Sequence, residues 1–298
     1  MADRPPIPMT VLGGWLGAGK TTLLNRMLAQ ADQRIAVVVN DIGEINIDAA
    51  LIGADDDEIV ELTNGCVCCS IGQSLALTLR ELTLRNPAPE RIVIEASGVA
   101  DPAQVAAYGD RRRVPLDAVI TLADAATFAH RAGSDPYGPL VRAQVTGADL
   151  VVATKLDLLD PAAAAAGLLS IRAVTTAPVV EASADPDWIR HVVLGAHQPA
   201  DRAGYTPAPP IDGIVTRTWR AGGHCDRAEL AAILEHCGLL RAKGTLATAD
   251  GTLLVHLAGD RVELTPIADR ALGTLVLIGS NEAEVSAAVH ALDGLVGP

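Results

Sequence analysis

Three cysteines, Cys66, Cys68 and Cys69, crowd the stretch NGCVCCS at residues 64–70. Thiolates are soft ligands that suit Zn²⁺, and also Co²⁺ and Cu⁺. A structural zinc site is closed by four protein ligands. Three thiolates leave a position for water, a carboxylate or another protein's ligand, and an open position permits exchange. Cys66 and Cys68 share one side of an extended segment, and a turn would bring Cys69 round to join them. Glu44 and Glu61 are further candidate ligands. A purely structural zinc staple is a competing reading. A redox pair of Cys66 with Cys69 is a weaker one, because no thioredoxin-like context surrounds it.

A second constellation precedes the cysteines. GGWLGAGKTT carries Gly14, then Gly19-Lys20-Thr21 at Walker A spacing, after an apolar run and ahead of a helical segment. Glycines let backbone N–H groups turn inward around phosphates, and the helix N-terminus favours negative charge. Gly14, Gly17, Ala18, Gly19, Lys20, Thr21 and Thr22 therefore form the candidate phosphate cradle. Lys20 would reach the β- and γ-phosphates and the Thr21 hydroxyl would ligate Mg²⁺. RIVIEASG supplies Glu95 at a strand end as the second Mg²⁺ contact, with the Gly98 N–H available to the γ-phosphate. Lys20, Thr21, Asp41 and Glu95 are the expected catalytic set, and Thr21, Asp41 and Glu95 the Mg²⁺ set.

The base is read from VVATKLDLL. A strand ends at Thr154-Lys155-Leu156-Asp157, where the Asp157 carboxylate can accept from N1–H and the 2-amino group of guanine. Adenine lacks that donor pair, so GTP is expected over ATP, with the Lys155 stem packed along the base. EASAD at 181–185 falls where a backbone contact to the guanine carbonyl would come. Two of the chain's three lysines, Lys20 and Lys155, lie in these patterns.

Val/Ile/Leu runs must position these groups: MTVLGG, RIAVVVN, DEIVELT, RIVIEAS, LDAVITLAD, ADLVVATK and APVVEAS. Helical segments are expected at 19–31 and 70–85, the latter with Leu75, Leu79 and Leu82 on one face, and after Pro161. Continuous apolar strands alternating with helices predict an α/β fold with a mainly parallel sheet covered on both faces. The Pro- and Gly-rich stretch 198–211 reads as a linker. Beyond it a strand, a helix capped by Asp226, four further strands and a helix from about 281 to 292 predict a small α+β domain with an antiparallel sheet. The expected domains are thus 1–197 and 212–298.

Composition narrows the class. The chain has 298 residues, 49% hydrophobic and only 2% aromatic, so Ala, Val, Leu and Ile must build the core. A net charge of −13 opposes broad binding to nucleic acid or to an anionic membrane surface. Arg111-Arg112-Arg113 is a local exception, read as a solvated turn. The acidic run at 54–58 reads as a solvated loop. No secretory h-region or membrane-spanning stretch is evident, and five cysteines without a disulfide framework fit a reducing cytoplasm. His224 with Cys225 and His236 with Cys237 could form a second metal site, although such residues more often serve packing or surface roles.

The order of Walker A, NDIGEINID (40–48), ELTNGCVCCS (61–70), IEASG (94–98) and TKLD (154–157) resembles the CobW-type metal-handling GTPases, relatives of the urease and hydrogenase maturation GTPases. LLRAKG resembles that family's C-terminal domain. The resemblance implies a P-loop NTPase fold, slow GTP hydrolysis, metal binding near the switch segments, and delivery of zinc or cobalt to a client metalloprotein. The chain departs from the family at Trp15, where Phe or Tyr is common, and at Asp41, where Glu is frequent; at Thr154 it departs from the usual GTPase pattern, which starts with Asn. The oligomeric state is open, with a nucleotide- or metal-dependent dimer one option. The runners-up are a P-loop ATPase or kinase with structural zinc, and a zinc-sensing interaction protein.

Overall fold

The structure is a computed structural model. It describes residues 5–39, 75–109, 112–134, 136–183, 185, 188–189, 193–195, 214–258, 261–268 and 273–295, with 59–61 and 71–74 described by backbone alone. Asp41, Glu44, Cys66, Cys68 and Cys69 lie outside these residues, as does the side chain of Glu61. The described residues fall into two units, 5–195 and 214–295.

The first unit runs β1 (Met9–Gly14), α1 (Lys20–Gln30), β2 (Ile35–Val39), β3 (Ile59–Glu61), α2 (Ile71–Leu84), β4 (Arg91–Glu95), α3 (Pro102–Ala106), β5 (Leu116–Asp124), α4 (Phe128–Gly133), α5 (Gly138–Thr146), β6 (Leu150–Thr154), α6 (Pro161–Arg172) and β7 (Val179–Glu181). Its seven strands stand in the order β3-β2-β4-β1-β5-β6-β7, every pairing parallel. The period of two divides each strand between two cores. Leu12, Val37, Val39, Val93 and Ile120 face Leu23, Leu24 and Met27 of α1. Met9, Val11, Val38, Ile92 and Ile94 face Leu75, Leu79 and Leu82 of α2. Both faces are covered, which is why the strands read as unbroken apolar runs rather than alternating ones.

Strands and long helices follow the sequence expectation within a few residues. The short helices α3, α4 and α5 do not, and no signal for them was read in the sequence. Asp101 caps α3 by accepting from the Ala103 N–H at 3.0 Å. Asp160 caps α6 by accepting from Ala162 and Ala163 at 2.9 and 2.8 Å, with Pro161 in the first turn.

The end of the sheet away from the loops of interest holds a buried ion pair. Arg91 donates to Asp117 at 2.6 Å and to the Thr10 hydroxyl at 2.8 Å. The other Arg91 terminal nitrogen donates to the Leu194 carbonyl at 3.1 Å, fastening the unit's last described segment beneath the sheet.

The second unit contains β8 (Val215–Arg220), α7 (Arg227–His236), β9 (Arg241–Thr248), β10 (Gly251–Ala258), β11 (Arg261–Ile267), β12 (Thr274–Gly279) and α8 (Glu282–Leu295). Its five strands are antiparallel in the order β11-β10-β9-β12-β8. Leu230 and Leu234 of α7 and Val285, Ala288 and Leu292 of α8 pack on Ala242, Leu246, Val255, Leu275 and Leu277. Asp226 caps α7 through the Ala228 and Glu229 amides at 2.9 Å each, as its spacing predicts.

Candidate functional site

The central strand β1 delivers the chain into Gly14–Gly19 and then into α1. Gly14, Gly17 and Gly19 have φ of 129°, 77° and 100°, a region that side-chain-bearing residues rarely occupy. Gly14 is further fixed by proximity, because a Cβ there would lie 2.3 Å from the Leu122 carbonyl oxygen. Lys20 is 5% exposed, and its ammonium donates to the carbonyls of Gly14 at 2.9 Å and Trp15 at 3.4 Å. The Trp15 ring packs against Tyr137, centroids 5.3 Å apart, so the indole anchors the loop to the residue before α5.

β4 neighbours β1 and ends at Glu95, as expected. The Thr21 hydroxyl donates to Glu95 Oε1 at 3.0 Å. Two hard oxygen donors thus meet at the mouth of the loop, a set that suits Mg²⁺ rather than a soft metal. The backbone after Glu95 presses on the loop from the other side. A Cβ at Gly98 would stand 2.8 Å from the Leu16 nitrogen and 2.9 Å from its Cα, so this glycine is required by close approach.

Gln144 holds that segment, and sequence reasoning did not single it out. It is 1% exposed, and its amide donates to the carbonyls of Gly98 at 3.1 Å and Ala100 at 2.8 Å. The Thr121 hydroxyl in turn donates to the Gln144 carbonyl at 2.8 Å. A lone glutamine on a short helix carries no spacing signal, so only the fold reveals this support.

β6 brings the third group. The Thr154 hydroxyl donates to the Ala18 carbonyl at 2.9 Å, tying the TKLD turn directly to the phosphate loop. The threonine thus has a defined structural task at the position where Asn is usual. Lys155 adopts φ 61°, and is the non-glycine residue with positive φ among those described. Its ammonium pairs with Asp124 at 2.8 Å, which holds the aliphatic stem across the end of the sheet. Asp157 follows in a short 3₁₀ turn, Leu156–Leu158. Arg26 of α1 donates to the Ser183 carbonyl at 3.3 Å and so secures the segment after β7.

Gly14–Thr22, Glu95, Gly98 and Thr154–Asp157 therefore converge at the carboxyl ends of β1, β4 and β6. Ligand crevices of open parallel sheets lie there. The cysteine motif falls between β3 and α2, outside the described residues. In the second unit Cys225 is buried in the core, with its thiol pushed up from the ordinary cysteine range by burial. Cys237 is half-buried against the same core, donates to the Leu234 carbonyl at 3.2 Å and is likewise raised by burial. His236 Nδ1 bonds within its own helix to the Ala232 carbonyl at 2.8 Å. Among the described residues no three His, Cys, Asp or Glu side chains come together as a metal site. No described helix is long and apolar enough to cross a membrane.

The architecture is that of a P-loop nucleotide-binding domain followed by a small antiparallel domain. Residues 8–179 match the family described as CobW/HypB/UreG, nucleotide-binding domain, and residues 214–294 match the cobalamin synthesis protein CobW C-terminal domain. The chain belongs to the CobW/HypB/UreG family. It is 35% identical over 201 residues to the zinc chaperone CobW of a Sinorhizobium species, covering 57% of this chain and 56% of that protein. It is 38% identical over 167 residues to the zinc chaperone YjiA of Escherichia coli, covering 53% and 52%. The chain thus spans about half the length of the curated relatives it matches. A Zn(II)-bound triple mutant of the YjiA GTPase aligns over 99% of this chain and 100% of its own at 24% identity, with a TM-score of 0.47.

Proposed function

We propose that this chain is a GTP-hydrolysing metal carrier that binds zinc at Cys66, Cys68 and Cys69 and couples its loading or release to the nucleotide. The Thr154–Ala18 hydrogen bond carries the nucleotide half, because it joins the turn bearing Asp157 to the phosphate loop. A base selected at Asp157 would thereby stand in register with phosphates at Lys20. The names of the relatives, zinc chaperones, support zinc as cargo, and cobalt has the same ligand preference.

Lys20 would leave its loop carbonyls to meet the β- and γ-phosphate oxygens, and the inward N–H groups of Gly17–Thr22 would cradle them. Thr21 and Glu95, with Asp41 as a further candidate, would hold Mg²⁺, which would supply positive charge against the charge developing on the phosphates. Gly98 would offer its N–H to the γ-phosphate from a backbone held by Gln144. The cysteine motif stands in sequence between Asp41 and Glu95, so a segment ordered by the γ-phosphate would change the cysteines' arrangement and hence zinc affinity. The client is a metalloprotein that completes the coordination during transfer.

Binding of fluorescent GTP and ATP to the anaerobically purified chain tests the nucleotide half. GTP should bind well and ATP poorly, with Asp157→Asn removing the preference. Equal binding of both nucleotides would favour the ATPase or kinase alternative.

A further inference from the structure

Arg113 has no task in the candidate nucleotide site, yet it borders a groove. A cavity of about 390 Å³ is lined on one side by Ala76, Leu79, Arg80 and Thr83 of α2 and on the other by Tyr108, Arg113 and Val114. Its floor is the underlying core, where Leu79 and Val114 are 4% and 3% exposed. Its rim is basic and apolar. Arg80 and Arg113 are exposed, and neither guanidinium is engaged by another side chain or carbonyl among the described residues. Tyr108 is 45% exposed, and on α2 Leu77 and Leu84 are 59% and 56% exposed, one heptad apart.

The walls are braced. The Ile7 and Met9 amides donate to the carbonyls of Arg113 and Pro115 at 2.8 and 2.9 Å, pinning the turn to the lead-in of β1. The Tyr108 and Gly109 amides donate to the Val105 and Ala106 carbonyls at 3.2 Å each. The Thr83 hydroxyl donates to the Arg80 carbonyl at 2.7 Å. A groove held in this way costs little ordering on binding.

We propose that this groove docks an acidic peptide segment with an aliphatic anchor, carried by a partner protein. The anchor would fill the apolar floor, and Asp or Glu side chains on either side would pair with Arg80 and Arg113. Charge complementarity selects the occupant: two exposed arginines flank an apolar slot. α2 begins at Ile71, so the groove lies on the helix that follows the cysteine motif in the sequence. That the partner is the metal-receiving client rests on the proposed function; the chemistry of the groove does not.

The test is an array of octapeptides on the full-length chain, each with one Leu, Ile or Met between two Asp or Glu pairs. Controls replace the aliphatic residue by Ser or the acids by Lys. Acidic aliphatic peptides should bind, both controls should bind about tenfold more weakly, and Arg80→Glu/Arg113→Glu should weaken the acidic peptides by about tenfold or more. Arg80→Gln/Arg113→Gln, which leaves the helix and turn without reversed charge, should fall between. No binding by any acidic peptide, or equal binding by the wild type and both variants, overturns the proposal. Sedimentation of the same proteins is the second arm. A dimer abolished by the Gln variant without any peptide binding would assign the groove to a second copy and overturn the peptide occupant. GTP binding and zinc load are read on the same preparations. Their loss with peptide binding intact would fail the metal-carrier reading alone, whereas their retention without peptide binding would fail the groove alone.

Discussion

At the scale of the residue, Thr154 distinguishes this site. Its hydroxyl donates to Ala18 at 2.9 Å and approaches the Ala123 carbonyl at 3.4 Å. Thr154→Val keeps the shape, removes the donor and leaves the Ala18 carbonyl without it. A net hydrogen bond of about 1 kcal/mol predicts GTP affinity about five- to tenfold weaker, with little change in thermal midpoint. Titration with labelled GTP checks this; unchanged affinity would separate the two loops energetically. Gln144 is the second such residue. Gln144→Leu strands the Gly98 and Ala100 carbonyls, which should cost about 1–3 kcal/mol of stability and slow GTP turnover, read by denaturant unfolding and phosphate release. Turnover at the wild-type rate would remove Gln144 from the account.

At the scale of the element, the strands and long helices were legible because each obeys one simple pattern. Ile35–Val39 is apolar throughout since both its faces are covered, and Leu75, Leu79 and Leu82 mark one face of α2. The short helices α3, α4 and α5 were not legible. They span 5, 6 and 9 residues, too short to establish a helical repeat, and tertiary packing holds them. That the Walker A loop, Glu95 and the TKLD turn sit at strand ends was legible because each follows an apolar run; their roles toward phosphate and base belong to the proposed function. The Gly98–Leu16 approach shows what spacing could not: the segment after β4 is braced against the Gly14–Gly19 loop. Gly98→Ala would force its Cβ to within 2.8 Å of the Leu16 nitrogen, so the loop must shift. GTP affinity should fall by more than tenfold while the second unit unfolds normally, measurable by calorimetry with and without nucleotide. In that second unit, α8 is capped reciprocally. Asn281 accepts from the Glu284 amide at 2.9 Å, and Glu284 accepts from the Ser280 hydroxyl and amide at 2.6 and 3.0 Å. The Ser280 hydroxyl chiefly holds the Glu284 carboxyl below the usual range. A depressed folded-state pKa means the cap stabilises above the unfolded-state value and that stabilisation is lost as pH falls through the folded one. Glu284→Gln should therefore be less stable than wild type near neutrality, with the gap closing in acid. A gap independent of pH in urea titrations would refute the carboxylate's role.

At the scale of the whole molecule, the account joins a nucleotide site built on the ends of β1, β4 and β6 to a thiolate motif that the chain places between β3 and α2. If the two are linked, zinc affinity must differ between a GTP analogue and GDP, and by reciprocity zinc must change nucleotide affinity by the same factor. Equal zinc affinities in the two nucleotide states would uncouple the cysteines from the switch. The most direct test of the central claim is the metal content of anaerobically purified protein, wild type against Cys66→Ala, with GTP binding measured on both. The account predicts stoichiometric zinc in the wild type, its loss in the variant, and GTP binding retained by each. The same metal load in both proteins would contradict it.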